Sequence, residues 1–186
     1  MNKAILISIR PRWVAKILNG EKTIEIRKKF SKDYVGWVYI YCTKDNHQLV
    51  KPKDYDKYLL FTKGAVNYSH EQTLNGKVVA KFILNKVDRY VNGCKVAKKY
   101  PAFNDFEKIL TPACIYTDEL ENYCEDLSFY AWHISNLVIF DRPKELSEFK
   151  QPRDSYGKVN WNTNEYYYME LTKAPQSWCY IEKEIL

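Results

Sequence analysis

The stretch "GEKTIEIRKKF", Gly20 to Phe30, decides how the chain is read, because it alternates with period two. Thr23, Glu25 and Arg27 fall on one face and Ile24 and Ile26 on the other, the pattern of a half-buried strand. Lys22 sits in the turn after Gly20, where its long stem reaches the side taken by Glu25 and Arg27. Two readings follow. In one, the three groups are a solvated strand face with an ion pair worth about 0–1 kcal/mol. In the other they converge on a ligand. Lysine and arginine then hold a phosphate or carbonyl oxygen, and Glu25 accepts from an amine or a ribose hydroxyl. A glutamate beside two cations stays ionised, which suits acceptor or base work.

The residues before this strand lead into it. "AILISI" (Ala4 to Ile9) is a short apolar run, read as a buried strand. Pro11 suits the first position of a helix, where no N–H is needed. Trp13, Val14, Ile17 and Leu18 form a helical stripe, and Gly20 is a natural stop, so a helix is expected over Pro11 to Asn19. Its cap position holds Arg10, which cannot accept a backbone N–H as Ser, Thr, Asp or Asn would. An uncapped helix start beside an arginine reads as an anion site, unless Ser8 or water satisfies those N–H groups. Trp13 reads first as core and second as a stacking surface.

Further along, "WVYIYCT" (Trp37 to Thr43) and "GKVVAKFILNKVDRY" (Gly76 to Tyr90) read as strands, the second a long one. The region of about 44–75 has no sustained period and reads as an irregular insert with a short helix. "FNDFEKIL" and "TDELENYCEDL", within about 103–127, read as helical, with acidic residues early. "SFYAWHISNLVIFD" (Ser128 to Asp141) returns to strand character. There Tyr130, Trp132 and Ile134 alternate with Ala131 and His133. "RPKELSEF" suggests a short helical turn, Asp154 to Asn164 a loop, and "YYYMELT" and "WCYIEKEIL" late strands. Strands dominate without regular helix alternation. The expectation is one α+β domain over residues 1–186, built on a curved, mostly antiparallel sheet or small barrel.

Composition bounds the function. At 186 residues the chain can bury roughly 70% of its unfolded surface. The balance is 29 basic against 23 acidic residues, net +6, compatible with a polyanion partner. Aromatics are plentiful, with 16 Tyr, 8 Phe and 5 Trp, some of them available to stack on bases. The five cysteines and three histidines are dispersed and contain no CxxC, so neither a disulfide framework nor a metal site is expected. No cofactor motif occurs: there is no P-loop, GxGxxG, GxSxG or HExxH. No apolar segment is long enough to span a membrane. A cytoplasmic protein with reduced thiols is expected.

"LISIRPRWVAKILNGEKTIEIRKKF" goes beyond pattern: it resembles the opening of the ASCH domain, in the PUA-like superfamily. The matching positions are Ser8, Ile9, Arg10, Pro11, Gly20, Lys22, Thr23, Glu25 and Arg27. "LNGKVVAKFILNKV" looks like the family's central strand. "FYAWHISNLVIFDRPKELSEF" and "APQSWCYIE" resemble later strands of the larger bacterial and phage-associated members. The insert and the acidic helical region match no motif. The resemblance implies a small mixed or antiparallel β-barrel flanked by helices, with a cleft lined by the G-x-K-T-x-E-x-R strand. It also implies RNA or a modified nucleoside as ligand.

Some small relatives are amidohydrolases of acetylated cytidine that use a lysine, a threonine and a glutamate. Lys22 matches the lysine, while Glu25 stands where the threonine would be. Others are credited with RNA cleavage. The leading expectation is therefore an RNA- or nucleotide-binding module. Lys22, Arg27 and Arg10 would lie on phosphate and Glu25 on a base or ribose donor. Trp13, Tyr130 and Trp132 would lie near a stacked base, and Ser8 and His133 close by. The alternatives are a hydrolase of acylated nucleosides or RNA, with Lys22 and Glu25 catalytic, and a protein-interaction domain that uses the insert and the acidic helices.

Overall fold

The structure, a computed structural model, describes residues 3–30, 34–65, 73–96, 105–162 and 167–182. In chain order the elements are β1 (Lys3–Ile9), α1 (Pro11–Leu18), β2 (Ile24–Arg27), β3 (Gly36–Cys42), β4 (His47–Val50), β5 (Leu59–Thr62), β6 (Val78–Leu84), β7 (Val87–Val91), β8 (Cys94–Lys95), α2 (Glu107–Ala113), α3 (Thr117–Tyr123), β9 (Phe129–His133), β10 (Ser135–Lys144), β11 (Lys150–Arg153), β12 (Tyr167–Glu170) and β13 (Trp178–Glu182). The class is α+β, as the strand-rich pattern suggested.

A five-stranded sheet has the order β10-β6-β3-β1-β13, and a four-stranded sheet has the order β2-β9-β7-β8. β1 pairs parallel with β3 and antiparallel with β13. It is buried along almost its whole length because "AILISI" offers apolar side chains to both faces. The long strand expected over Gly76 to Tyr90 and the strand-like segment over Ser128 to Asp141 are each broken in two. β6 gives way to β7 after Asn85 and Lys86. β9 gives way to β10 around Ser135 and Asn136, where φ is +48° and the register shifts. These bends let one long hairpin serve both sheets: β6 pairs with β10 in the first, β7 with β9 in the second.

The expected barrel does not close among the described residues. The five-stranded sheet ends in β10 and β13 and the four-stranded sheet in β2 and β8, and no ladder among the described residues joins these edges. A side chain spans the gap instead: the Arg27 guanidinium donates to the Ser8 carbonyl at 2.6 Å.

α1 ends where glycine was expected to end it. Gly20 has φ +74°, a conformation costly for any residue with a Cβ. The N–H groups of Glu21 and Lys22 fold back onto the Lys16 carbonyl at 2.8 and 3.0 Å. The insert corrects the sequence reading: it contains a hairpin of β4 and β5, with no helix among its described residues. Each strand is only four residues long, too short for a period to show. Asn19 clamps the insert to α1 by exchanging hydrogen bonds with the backbone of Tyr58 at 2.9 and 3.1 Å. "RPKELSEF" holds a single 3-10 turn at Leu146–Glu148.

β2 is buried on both faces, which half-burial did not anticipate. Ile24 and Ile26 pack with Phe106, Ile109, Ala113 and Leu120 in a second core under α2 and α3. The opposite face looks into the space between the two sheets. Register places Glu25 across from Trp132 and Arg27 across from Tyr130, and cross-strand partners share a face.

Candidate functional site

The turn after α1 and the end of α2 together place Lys22. The last carbonyls of a helix lack intrahelical partners and carry partial negative charge. α2 spends two of them on the approach to β2: Pro112 accepts from the Thr23 N–H at 2.8 Å and Ala113 from the Lys22 ammonium at 2.6 Å. Lys22 Nζ also lies 3.4 Å from Glu25 Oε2, and the other Glu25 oxygen lies 3.0 Å from Arg27 Nη2. Arg27 reaches on to the Ser8 carbonyl at 2.6 Å and to Ser177 Oγ at 3.4 Å. The three side chains keep only 4%, 8% and 10% of their surface exposed. The solvated-face reading of "KTIEIR" is thus excluded.

Burial is the largest influence on Lys22 and lowers its pKa, against the pull of the Glu25 charge, which raises it. An ammonium has three N–H donors. Two have acceptors here, and the Trp13 ring centroid lies 4.9 Å away. The triad carries two positive charges against one negative. Arg27 Nε is buried with no partner among the described residues.

The triad forms the floor of a cleft of about 590 Å³. One wall is the start of α1, with Arg10, Arg12 and Trp13; another is Ile115, Glu119, Asn122 and Tyr123, around α3. Gln176 and Ser177, before β13, and Ser8, Ile9 and Thr43 complete it. Arg10 is the residue before the helix and has no side-chain cap. Its carbonyl takes the N–H groups of Trp13 and Val14 at 2.9 and 3.0 Å. Its guanidinium is exposed at the cleft. Arg12 lies over the Trp13 ring, 4.2 Å from the centroid, and pairs with Glu119 across the mouth at 3.0 Å.

Of the residues the sequence singled out, Ser8, Arg10, Trp13, Lys22, Glu25 and Arg27 line the cleft. Ser8 does not serve the helix start: its hydroxyl donates to the Pro175 carbonyl at 2.7 Å. Trp13 is half-buried at the wall. Tyr130, Trp132 and His133 stand off the cleft walls. Trp132 shares the face of Glu25 but is fully buried, with Phe30 at 5.1 Å and Trp178 at 6.1 Å between ring centroids. Tyr130 packs against Phe30 at 5.9 Å. His133 points to the other face and meets Asp88 at 2.9 Å.

Arg12, Glu119, Asn122, Tyr123 and Gln176 were missed. Arg12 carried a signal, since it leaves the same uncapped helix start as Arg10. The α3 residues carried none, because a segment that matches no motif shows in its sequence nothing of what it packs against. Among the described residues, no group of three or more His, Cys, Asp or Glu is placed to hold a metal ion, and no helix is long and apolar enough to cross a membrane.

No protein-family model matches the sequence, and no curated protein matches it. Solved structures do. A serine-to-alanine variant of ZmASCH from Zymomonas mobilis superposes with a TM-score of 0.57 at 14% identity, covering 98% of this chain and 90% of that one. A tyrosine-to-phenylalanine variant of the same protein gives 0.56 at 14% identity, with 97% and 91% covered. ASCH from Zymomonas mobilis itself gives 0.51 over 98% and 90%. Likeness at that identity carries architecture and no residue roles, and the architecture it carries spans nearly the whole chain: this protein has the ASCH domain fold.

Proposed function

We propose that the cleft holds single-stranded RNA or a nucleotide, with phosphate on Arg10 and Arg12 at the mouth. The observation that carries this reading is the exposed Arg10 guanidinium beside Arg12, above a floor that is buried and net positive. Trp13 and Tyr123 supply aromatic surface, and Asn122 and Gln176 supply amide donors and acceptors for a base edge. In this reading Lys22 and Arg27 act mainly as fixed positive charge rather than as direct phosphate ligands, because both are buried and most of their N–H groups are taken by Ala113, Glu25, Ser8 and Ser177.

The test is fluorescence anisotropy of a short labelled oligouridylate over a range of salt. Affinity falls steeply as salt rises, and Arg10→Ala weakens binding and reduces the log–log slope by about 1. Affinity that is flat with salt and equal in the variant would remove the proposal.

The lowered pKa of Lys22 favours a second reading, a hydrolase of an acylated nucleoside or of RNA phosphodiesters. Lys22 would accept a proton or stabilise developing negative charge, with Glu25 as its partner. Incubating acylated nucleosides and short RNA with concentrated protein tests it. No turnover of either class eliminates it.

A further inference from the structure

We infer that Glu119 occupies the position of a ligand phosphate, and that an anionic ligand displaces it from Arg12. This rests on the proposed RNA or nucleotide reading and adds how the site distinguishes a charged backbone from a neutral one. Across the mouth of the cleft, Arg12 Nη2 donates to Glu119 Oε1 at 3.0 Å. Its side chains keep 51% and 31% of their surface exposed. The triad pairs below keep a tenth or less. Of these three pairs of described residues, the rim pair is the one open to exchange.

Two further features make the exchange cheap. Arg12 is oriented independently of its anion, because its guanidinium already lies over Trp13 at 4.2 Å. Glu119 has a second post: as the third residue of α3 it accepts the Tyr116 N–H at 3.4 Å. A carboxylate in the first turn is also favoured by the helix dipole. When Arg12 turns to a phosphate, Glu119 keeps that contact. Guanidinium serves carboxylate and phosphate with the same fork of donors, so a phosphate can replace the carboxylate without moving Arg12 off the ring.

The experiment compares Glu119→Gln with the wild type on two probes: a short oligouridylate, and a morpholino oligomer of the same sequence, which has the bases without backbone charge. Glutamine keeps the capping acceptor, so the variant folds. Glu119→Gln is expected to tighten oligouridylate about threefold, the scale of an exposed ion pair, and to leave the morpholino unchanged. In an Arg12→Gln background the gain disappears. Unchanged or weaker oligouridylate binding in Glu119→Gln, with the wild type binding normally, overturns this inference alone. So does a gain that persists without Arg12. A wild type that binds no oligouridylate overturns the RNA reading and this inference with it.

Discussion

Two charged clusters sit on opposite faces of the same sheet, and each surrounds one carboxylate with cations. On the inner face Glu25 meets Lys22 and Arg27. On the outer face Asp88 meets Lys95 at 2.7 Å, His133 at 2.9 Å and Lys86 at 3.7 Å. The chemistry is nearly the same and the surroundings differ. The inner cations are almost fully enclosed and floor a cleft. The outer partners keep 27%, 24% and 56% of their side-chain surface in water and line no concavity with the walls described above. What separates a candidate site from a stabilising surface network is thus enclosure and an adjoining space, not the number of charges. A buried pair costs desolvation that only good geometry repays, so its presence beside a cleft calls for a reason that the outer cluster does not.

The largest effect should come from breaking the inner cluster. Glu25→Gln leaves Lys22 and Arg27 facing each other without a counter-charge, and urea unfolding should show a loss of about 3–5 kcal/mol. A loss as small as that of a surface substitution would mean that the cluster is wetter than described.

Asp88→Asn should cost less, about 2 kcal/mol near neutral pH, the scale of hydrogen bonds to a charged group. The pH dependence of this second effect has a definite sign. Burial pushes the Asp88 carboxyl up, but hydrogen bonds from Lys95 and His133 and the charges of Lys95 and Lys86 outweigh it and hold the pKa below the ordinary value. A depressed carboxylate stabilises the fold above its unfolded pKa of about 4 and loses that contribution as pH falls through the folded value. Stability curves of wild type and Asp88→Asn should lie apart above about pH 5 and converge in acid. Parallel curves down to the acid limit would contradict the assignment.

The smallest stability effect belongs to the rim. Arg12→Gln should shift the unfolding free energy by less than about 1 kcal/mol while still weakening oligouridylate. A large stability loss there would make Arg12 a structural clasp like Arg27.

Much of this was legible in the sequence for local reasons. Period two in "KTIEIR" fixed which side chains share a face, and Pro11 and Gly20 bounded α1 to within one residue. Those two facts put Lys22 within reach of the face of Glu25 and Arg27, while the choice between a solvated face and a buried cluster stayed open until the burial of all three was seen. What could not be read was what each face meets. Nothing in "YAWHIS" says that Phe30 and Trp178 fill the space around Trp132, or that Asp88, 45 residues away, takes His133. The Arg12–Glu119 pair spans 107 residues, and no local period carries such a contact. The bends that split both strands left only a faint mark, two consecutive polar residues at Asn85 and Lys86 and at Ser135 and Asn136, and such a pair does not say that the pairing partner changes there.

The central claim, that the inner cluster's cleft and not the outer cluster takes the ligand, is tested most directly by titrating labelled protein with oligouridylate and following its NMR spectrum. The account expects the Trp13 indole and the Asn122 and Gln176 side-chain amides to shift with saturation, while the His133 ring and the Trp132 indole stay in place. Shifts centred on His133 and Lys95, with the cleft resonances unmoved, would contradict it.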